Sequence, residues 1–367
     1  MAYGTVSADI IQSSVPGVSL GAGNASIMKN RIINGAMVIN QRAFSGNPVN
    51  AYTVDRWQVS VSQTGKISAA QSTTAPTGFV NSLLLTSLSA YTVGSGEQFI
   101  LDQPIEGFNC SDLGWGTANA KTVTLSFQVY SSLTGTFGGS LQNNAYNRSY
   151  PFTYSIPVAN TWTTISVTIA GDTSGTWTTD NSAGIRVNFG LGVGSTLSNT
   201  AGSWSSGNYS SATGATSVVG TNGATFYITG VQLEVGSSAT GFEYRQYQQE
   251  LALCQRYYYR MYANQGSSAY TKYGQGYATS TTNFVAQINA PTTMRTYPTT
   301  LDYSTTYSYY CVYDGVSNIQ ATAFSIDQSA PNVTSINMSG TGFTVTRPGA
   351  LQAQATTNGY IGLGAEL

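Results

Sequence analysis

The sequence contains no histidine. Histidine is the commonest general base and the commonest side-chain metal ligand in proteins, so its absence excludes Ser-His-Asp hydrolases, Cys-His hydrolases and metal sites built on histidine. The three cysteines, Cys110, Cys254 and Cys311, are far apart and show no C-x-x-C spacing. They indicate neither a disulfide framework nor a zinc site. The sequence therefore predicts no cofactor, no metal site and three buried thiols.

Charged residues are scarce. Asp, Glu, Lys and Arg make up 8% of the 367 residues and leave a net charge of −1, whereas an ordinary soluble domain has about 25%. The few basic residues form no cluster, so there is no electrostatic footprint for nucleic acid or an acidic membrane surface. No apolar run approaches the roughly 20 residues that span a bilayer. We therefore expect neither nucleic acid nor a membrane as a partner.

Carboxylates could still serve a hydrolase. A glycoside hydrolase needs only two of them, about 5–10 Å apart. The densest group in a predicted β region consists of Asp102, Glu106 and Asp112. Nothing around these residues in the sequence indicates an apolar pocket that would raise the pKa of one carboxyl. We interpret all three as surface residues and expect that the protein is not an enzyme.

Alternation of apolar and polar residues dominates residues 31–245 and is typical of β-strands. Residues 123–129 place Val, Leu, Phe and Val on one face and Thr, Ser and Gln on the other, and residues 165–169 repeat the pattern. In residues 226–235 the phase changes by one position at Gly230, which predicts a β-bulge. Short alternating strands separated by turn residues predict an antiparallel sandwich or jelly roll.

The pattern also predicts whether several individual side chains are buried or exposed. Trp162 directly precedes an alternating strand and is predicted to lie in the core. Arg186 and Asn188 occupy the polar positions of another such strand and are expected to face water. Residues 202–223 are rich in Gly, Ser, Asn and Thr and are predicted to form a loop outside the core.

One segment has helical periodicity, residues 247–260. Four apolar residues recur on one face at spacings of four, three and four: Tyr247, Leu251, Cys254 and Tyr258. The pattern predicts a helical connector over residues 246–260. Its apolar stripe needs burial, either against the same helix of another subunit or against its own domain.

The prediction for the whole chain is an all-β protein with two antiparallel β-sandwich, jelly-roll-like domains joined by one short α-helix. The first domain covers residues 31–245 and the second, smaller one covers residues 261–367, where alternation returns. Residues 1–30 lack periodicity and are rich in small residues, which predicts an extended N-terminal arm.

Aromatic, amide and hydroxyl side chains are abundant. Flat rings flanked by amides and hydroxyls match the C–H faces and hydroxyl groups of sugars, although any single ring could equally pack in a core. In the first domain we select Trp177 and Trp204, which lie in loops rich in small polar residues. In the second domain five tyrosines are too densely spaced for all to be buried: Tyr303, Tyr307, Tyr309, Tyr310 and Tyr313.

Several motifs resemble those of bacteriophage tail-fibre and related virion appendage proteins. The motifs are NRIINGAMVINQR at 30–42, YTVDRW at 52–57, GDTSGTW at 171–177, GVQLEVG at 230–236, FEYR at 242–245 and CQRYY at 254–258. The similarity covers residues 31–260 well and the C-terminal region loosely. It implies a jelly roll similar to carbohydrate-binding modules and an ion pair between Asp55 and Arg56 beside a core Trp57.

The resemblance also implies a role. It predicts a structural virion protein, a tail fibre or similar appendage, made in the host bacterial cytoplasm and assembled as a homotrimer. Residues 1–30 would attach it to other virion proteins, and residues 261–367 would bind host surface polysaccharide. Two alternatives remain: a head-fibre, capsid-decoration or collar protein with weak surface adhesion, and a polysaccharide depolymerase that uses a carboxylate pair.

Overall fold

The computed structural model describes residues 29–263, 270–354 and 356–367. Most of the predicted arm at 1–30 lies outside these ranges. The described chain is nearly all-β with one α-helix and antiparallel sheets, which confirms the predicted fold class. None of its helices combines the length and the apolar character needed to cross a membrane.

The first half of the chain forms β-strands connected by turns and three short 3-10 segments. The strands are β1 Ser45–Gly46, β2 Ala51–Tyr52, β3 Gln58–Val61, β4 Ile67–Ser72, β5 Ser82–Ser87, β6 Gln98–Glu106, β7 Val123–Ser131, β8 Gly135–Asn143, β9 Arg148–Ile156, β10 Thr163–Ile169, β11 Ala183–Val193, β12 Ser198–Asn199, β13 Ser205–Ser206, β14 Ser211–Ala212 and β15 Thr225–Val235. The 3-10 segments are Gly107–Asn109, Ser111–Leu113 and Ser195–Leu197.

Apart from β12 and β14, which pair with each other in parallel, these strands build two antiparallel sheets that share one core. Sheet I has the order β1-β4-β5-β15-β7-β10 and sheet II the order β13-β9-β8-β11-β6-β3-β2. Inward positions of both sheets carry buried apolar side chains, among them Phe127 of β7 and Phe189 of β11, whose ring centroids are 5.0 Å apart. Burying a side chain of this size stabilises a fold by about 1.5–3 kcal/mol.

The predicted bulge at Gly230 is confirmed. The register between β15 and β7 shifts between Thr229 and Gln232, and Gly230 has a φ of +64°. A Cβ atom at this position would lie 2.8 Å from the ring of Phe79. Glycine is therefore required both by the left-handed backbone and by the close approach of an aromatic ring.

The helix α1, Tyr247–Gln255, leads into the second half of the chain. The strands that follow are β16 Tyr258–Tyr262, β17 Lys272–Ala278, β18 Asn283–Asn289, β19 Thr300–Tyr303, β20 Tyr310–Tyr313, β21 Asn318–Gln320, β22 Ala323–Ala330, β23 Val333–Ser339, β24 Pro348–Ala353 and β25 Tyr360–Gly364, with a 3-10 segment at Tyr307–Tyr309. Sheet III has the order β16-β25-β19 and sheet IV the order β21-β20-β24-β17-β18-β23-β22. Both contribute to a second core, which includes Phe284, Ile336 and Leu363.

The predicted helix over 247–260 is too long. It ends at Gln255, and residues from Tyr258 onward form β16, which pairs antiparallel with β25. The tyrosines at 257–259 continue the helical spacing, but aromatic side chains also favour strands. Pairing with β25, about 100 residues later in the sequence, makes residues 258–262 a strand. The local helical pattern contains no information about this pairing.

The outer face of sheet II is covered by the chain itself. This contradicts two predictions, that Asn188 faces water and that residues 202–223 form a loop outside the core. Asn188 is buried and donates to Ser140 Oγ at 3.0 Å and Gln142 Oε1 at 2.7 Å. Ser211, from the predicted loop, sits so close to this face that a Cβ atom at Gly190 would lie 2.6 Å from its hydroxyl oxygen. The segment expected to stay outside the core therefore packs on the sheet, and the strand it covers does not face water.

Buried ion pairs join the two halves. Arg56, with 1% of its side chain exposed, pairs with Glu366 from the end of the chain and lies 3.6 Å above the Tyr257 ring. The expected pair between Asp55 and Arg56 is not formed, because the Asp55 carboxylate accepts hydrogen bonds from Gln41 instead.

A second ionic contact lies nearby. Arg256 donates to both oxygens of Glu106, which also accepts from the Tyr257 hydroxyl at 2.6 Å. Glu106 and Asp102 are both buried, so the prediction of surface carboxylates holds only for Asp112. The cause is again a partner distant in sequence: Arg256 for Glu106 and Arg186 for Asp102.

Candidate functional site

A row of apolar and aromatic side chains crosses the outer face of sheet I. Tyr227 of β15 stands directly opposite Leu84 of β5 on one side and Tyr130 of β7 on the other. Trp162 extends the row, since the next residue, Thr163, pairs with Val129 beside Tyr130. Neighbouring strands are about 4.8 Å apart, so four strands give a row about 14 Å long. We call the surface formed by Leu84, Tyr227, Tyr130 and Trp162 the aromatic row.

The rings of the aromatic row contact one another at half-buried positions. The Tyr130 ring centroid lies 5.1 Å from that of Tyr227 in a T-shaped arrangement and 5.6 Å from that of Trp162. All three side chains lie outside the core of the first half. Such contacts fix the rings in place while each retains exposed surface. The geometry is that of a rigid platform on a sheet.

Short polar side chains border the aromatic row on both sides. Thr86 and Thr225 stand opposite each other along one side, and Gln128 and Thr164 do so along the other. Because side chains alternate between the two faces of a strand, these residues lie on the same outer face as the rings. The border offers hydroxyl and amide groups and no charge.

The polar atoms of the aromatic row are available to a ligand. The indole N–H groups of Trp57, Trp115, Trp177 and Trp204 each donate to a backbone carbonyl. Within the described ranges, the indole N–H of Trp162 has no hydrogen-bond partner, and neither do the hydroxyls of Tyr130 and Tyr227.

Burial raises the pKa of the Tyr227 hydroxyl, with a smaller contribution from Tyr130. The hydroxyl is therefore protonated at neutral pH and can donate a hydrogen bond. Together with the Trp162 indole, it places donors at two positions along the aromatic row.

Sequence reasoning missed this surface because it placed Trp162 in the core. Ile165 and Ile169 of β10 point inward. The position of Trp162 differs from theirs by three and seven, both odd, so Trp162 belongs to the opposite face. Tyr130 and Tyr227 likewise lie next to inward residues of β7 and β15. The alternation that predicted the strands therefore already contained the signal.

The two tryptophans selected from the sequence belong to a different cluster. Trp177 and Trp204 lie 5.3 Å apart, and the Trp115 ring lies 4.8 Å from Trp177 and 5.3 Å from Trp204. All three rings meet edge to face, and their N–H groups are used internally. The cluster packs against the core with part of its surface exposed.

The five tyrosines selected in the second half are separated by the fold. Tyr310 is 0% exposed, and its hydroxyl donates to the Tyr360 carbonyl at 2.7 Å, so its selection as a surface contact was wrong. Tyr307 and Tyr309 belong to a 3-10 turn, which breaks the alternation expected for this stretch. Tyr313 is exposed on β20.

Tyr303 and Tyr307 form a half-buried group with Phe324. The Tyr303 ring lies 6.0 Å from that of Tyr307 and 5.2 Å from that of Phe324. Their hydroxyl oxygens are 3.4 Å apart. All three side chains pack against the second core.

The predicted interface stripe on the helix is also divided. Tyr247 is 63% exposed, whereas Cys254 and Tyr258 are buried inside the chain. Cys254 and the partly buried Leu251 pack in a small cluster with Ile33. The stripe was expected to pack either on another subunit or within its own chain. Leu251, Cys254 and Tyr258 pack within the chain. Of the four residues, only Tyr247 remains exposed for a contact with another subunit.

No family model and no curated protein matches the chain. Among solved structures, it is similar to the enzymatically active domain of tailspike protein 4 of bacteriophage CBA120, with 14% identity, a TM-score of 0.33 and coverage of 57% of this chain and 22% of that one.

Two carbohydrate-binding domains are also similar. The family 11 carbohydrate-binding module of Clostridium thermocellum, in complex with a β-1,3-1,4-mixed-linked tetrasaccharide, has 12% identity, a TM-score of 0.27 and coverage of 55% of this chain and 98% of its own. The xylan-binding domain from CBM 22 has 12% identity, a TM-score of 0.29 and coverage of 53% and 96%. All these TM-scores are low, so an assignment of function has to rest on the site itself.

Proposed function

We propose that the protein binds carbohydrate and that the aromatic row on sheet I binds a neutral glycan. The observation that carries the proposal is the combination of three half-buried rings, three donors without a partner among the described residues, and an uncharged hydroxyl and amide border on one sheet face. Sugar rings present apolar C–H faces and a fringe of hydroxyls, and this surface offers a matching partner for each.

The contrast with sheet II supports the choice of face. The outer face of sheet II is covered by the chain's own loop through Ser211 and is occupied by a hydrogen-bonded network around Asn188. No segment among the described residues covers Tyr130 and Tyr227 on sheet I in this way, and their rings remain half-buried. A glycan can therefore reach the rings without displacing any of the described segments.

We further infer that the protein is a structural component of a bacteriophage virion, a tail fibre or similar appendage, and that its glycan belongs to the host surface. The motifs at 30–57 and 230–258 support this proposal. Their residues form the frame around Trp57, the bulge at Gly230 and the start of β16. A head fibre, a capsid decoration or a collar protein would use the same surface.

The binding experiment is titration calorimetry with neutral oligosaccharides selected on a glycan array. Trp162→Ala and Tyr227→Ala are each expected to weaken binding about 10-fold, equivalent to about 1.4 kcal/mol. Tyr277→Ala is the matched control, because Tyr277 is 54% exposed on sheet IV, far from the aromatic row in the sequence. Equal affinity in all three variants would overturn the assignment of this face.

The salt dependence gives a second criterion. Because the aromatic row and its border carry no charge, the affinity should change less than about twofold between 50 and 500 mM NaCl. A large decrease with salt would point to a charged ligand at another surface.

A polysaccharide depolymerase is the competing function. A glycosidase needs one carboxyl that keeps its proton, and burial raises the pKa of Asp55 and Asp102. These two residues are only 1% and 3% exposed, so a polysaccharide cannot reach them. We therefore propose that the protein binds without hydrolysis. Incubation with host polysaccharide should release no new reducing ends, and their appearance would support the enzyme.

A further inference from the structure

We propose a second saccharide-binding site in the cleft between the two halves of the chain, where the Asp302 carboxylate accepts hydrogen bonds from vicinal hydroxyls of a neutral sugar. This site is separate from the aromatic row and does not depend on the function proposed for it.

The cleft has the size and lining of a ligand site. Its volume is about 910 Å³, within the usual range for small-molecule pockets. One wall comes from the first half and includes Arg42 and Tyr52. The other comes from sheet III and includes Tyr258, Arg260 and Asp302. Neither half encloses the cleft alone.

Asp302 has an acceptor available for a ligand. Its Oδ2 atom accepts from the Tyr258 hydroxyl and from Arg260. No donor within the described parts of the chain reaches its Oδ1 atom, and the side chain is 30% exposed. A carboxylate is an acceptor only, and hydrogen bonds to a charged acceptor are stronger than neutral ones. The free oxygen is therefore suited to sugar hydroxyls, which are donors.

The walls of the cleft are held rigid. The Arg42 guanidinium lies 3.5 Å above the Tyr258 ring, and the Arg260 guanidinium lies 3.9 Å above the Tyr360 ring. Arg260 also donates to the Arg42 carbonyl at 2.6 Å, which links the two walls. A preorganised site loses little conformational entropy when it binds.

The charge of the lining favours a neutral ligand. The charged side chains that line the cleft are two arginines and two carboxylates: Arg42, Arg260, Asp302 and Glu366. Arg42 pairs with Glu366 at 3.0 Å and Arg260 pairs with Asp302. The charges of the lining therefore balance, and Arg56, which also pairs with Glu366, is 1% exposed and does not line the cleft. Half-buried Tyr360 and exposed Asn358 add an aromatic surface and an amide.

The experiment removes the aromatic row first. Trp162→Ala with Tyr227→Ala serves as the background, and neutral trisaccharides of glucose, galactose and mannose are titrated against it, with a galacturonic acid trimer as the charged comparison. One neutral trisaccharide is expected to bind at one site per chain, and the acidic trimer is expected to bind at least 10-fold more weakly.

Two substitutions then address the cleft. Asp302→Asn keeps a carbonyl oxygen for Tyr258 and Arg260 but loses the charge, and it should weaken binding at least 10-fold. Asn358→Trp should block the cleft from its exposed rim and abolish binding even if Asp302→Asn does not fold. Asp327→Asn is the control, because Asp327 is an exposed carboxylate on β22 that does not line the cleft.

The outcomes separate the two proposals. If the background binds no trisaccharide while the wild type does, the cleft site is wrong and the aromatic row stands. If the background binds like the wild type and Asn358→Trp abolishes binding, the cleft site stands and the aromatic row is wrong. Binding that is unchanged in both Asp302→Asn and Asn358→Trp overturns the cleft site.

Discussion

Replacing Glu366 with glutamine is expected to destabilise the protein by about 3 kcal/mol. The Glu366 carboxylate pairs with both Arg42 and Arg56. The glutamine has nearly the same shape and keeps one acceptor oxygen, but it has no charge. The substitution therefore tests the ionic part of the contact between the two halves and leaves packing almost unchanged.

The magnitude follows from the burial of Arg56. Its side chain is 1% exposed, and its Nε atom is buried without a partner within the described residues. Removing the partner of a buried charge costs about 3–5 kcal/mol, because the remaining charge is left uncompensated in a medium of low dielectric constant. We take the lower limit, since the Tyr257 ring and the Pro104 carbonyl still contact the guanidinium.

The assay is equilibrium unfolding in urea followed by two signals. All five tryptophans lie between residues 57 and 204, so their fluorescence reports the first half, while far-UV circular dichroism reports both. Lys121→Met is the control. Lys121 lies 3.9 Å from Asp112 with both side chains about half exposed, so its loss should cost at most about 0.5 kcal/mol. A loss no larger for Glu366→Gln than for the control would refute the reasoning.

Three further outcomes are expected. Burial raises the pKa of Asp55 and Asp102 from 3.8 to about 6, so the folded state binds protons more tightly than the unfolded one. Each protonated carboxyl therefore adds about 3 kcal/mol to the free energy of unfolding at low pH. This contribution should be lost as the pH rises from 4 to 6. Melting temperatures that rise over this interval would contradict it. Gly276→Ala should destabilise the protein by more than about 2 kcal/mol, because the added Cβ atom would lie 1.7 Å from the Val285 carbonyl oxygen. Gly241→Ala is the control, since a Cβ atom there has open space around it, and it should leave stability unchanged in the same urea assay. Solution mass should correspond to a homotrimer, and a stable monomer at micromolar concentration would argue against it.

The strands of the first half were predictable because their information is local. Alternation over β7 and β10 gives both the element and the face of each side chain, and the phase change at Gly230 gives the bulge. The same alternation assigns Trp162, Tyr130 and Tyr227 to the outer face. The site was therefore predictable in principle, and the error lay in treating a tryptophan beside a strand as core without applying the alternation to it.

Other features were not predictable because they depend on pairing between distant parts of the chain. Arg56 pairs with Glu366, 310 residues later, and not with its neighbour Asp55. The helix gives way to β16 because β25 offers a partner. Tyr310 is buried because β20 pairs with β24 inside sheet IV. None of these partners can be read from the residues next to the one in question.

The direction of the aromatic row has a consequence for the shape of the glycan that we propose it binds. Adjacent strands of a sheet are rotated by about 20–25° relative to each other, and the row from Leu84 to Trp162 crosses three such steps. The surface normals at its two ends therefore differ by about 60–75°. A ligand that contacts every ring has to turn along its length by the same amount. A single glycan chain with a helical twist can follow this path, whereas the flat face of a crystalline polysaccharide would contact only one end.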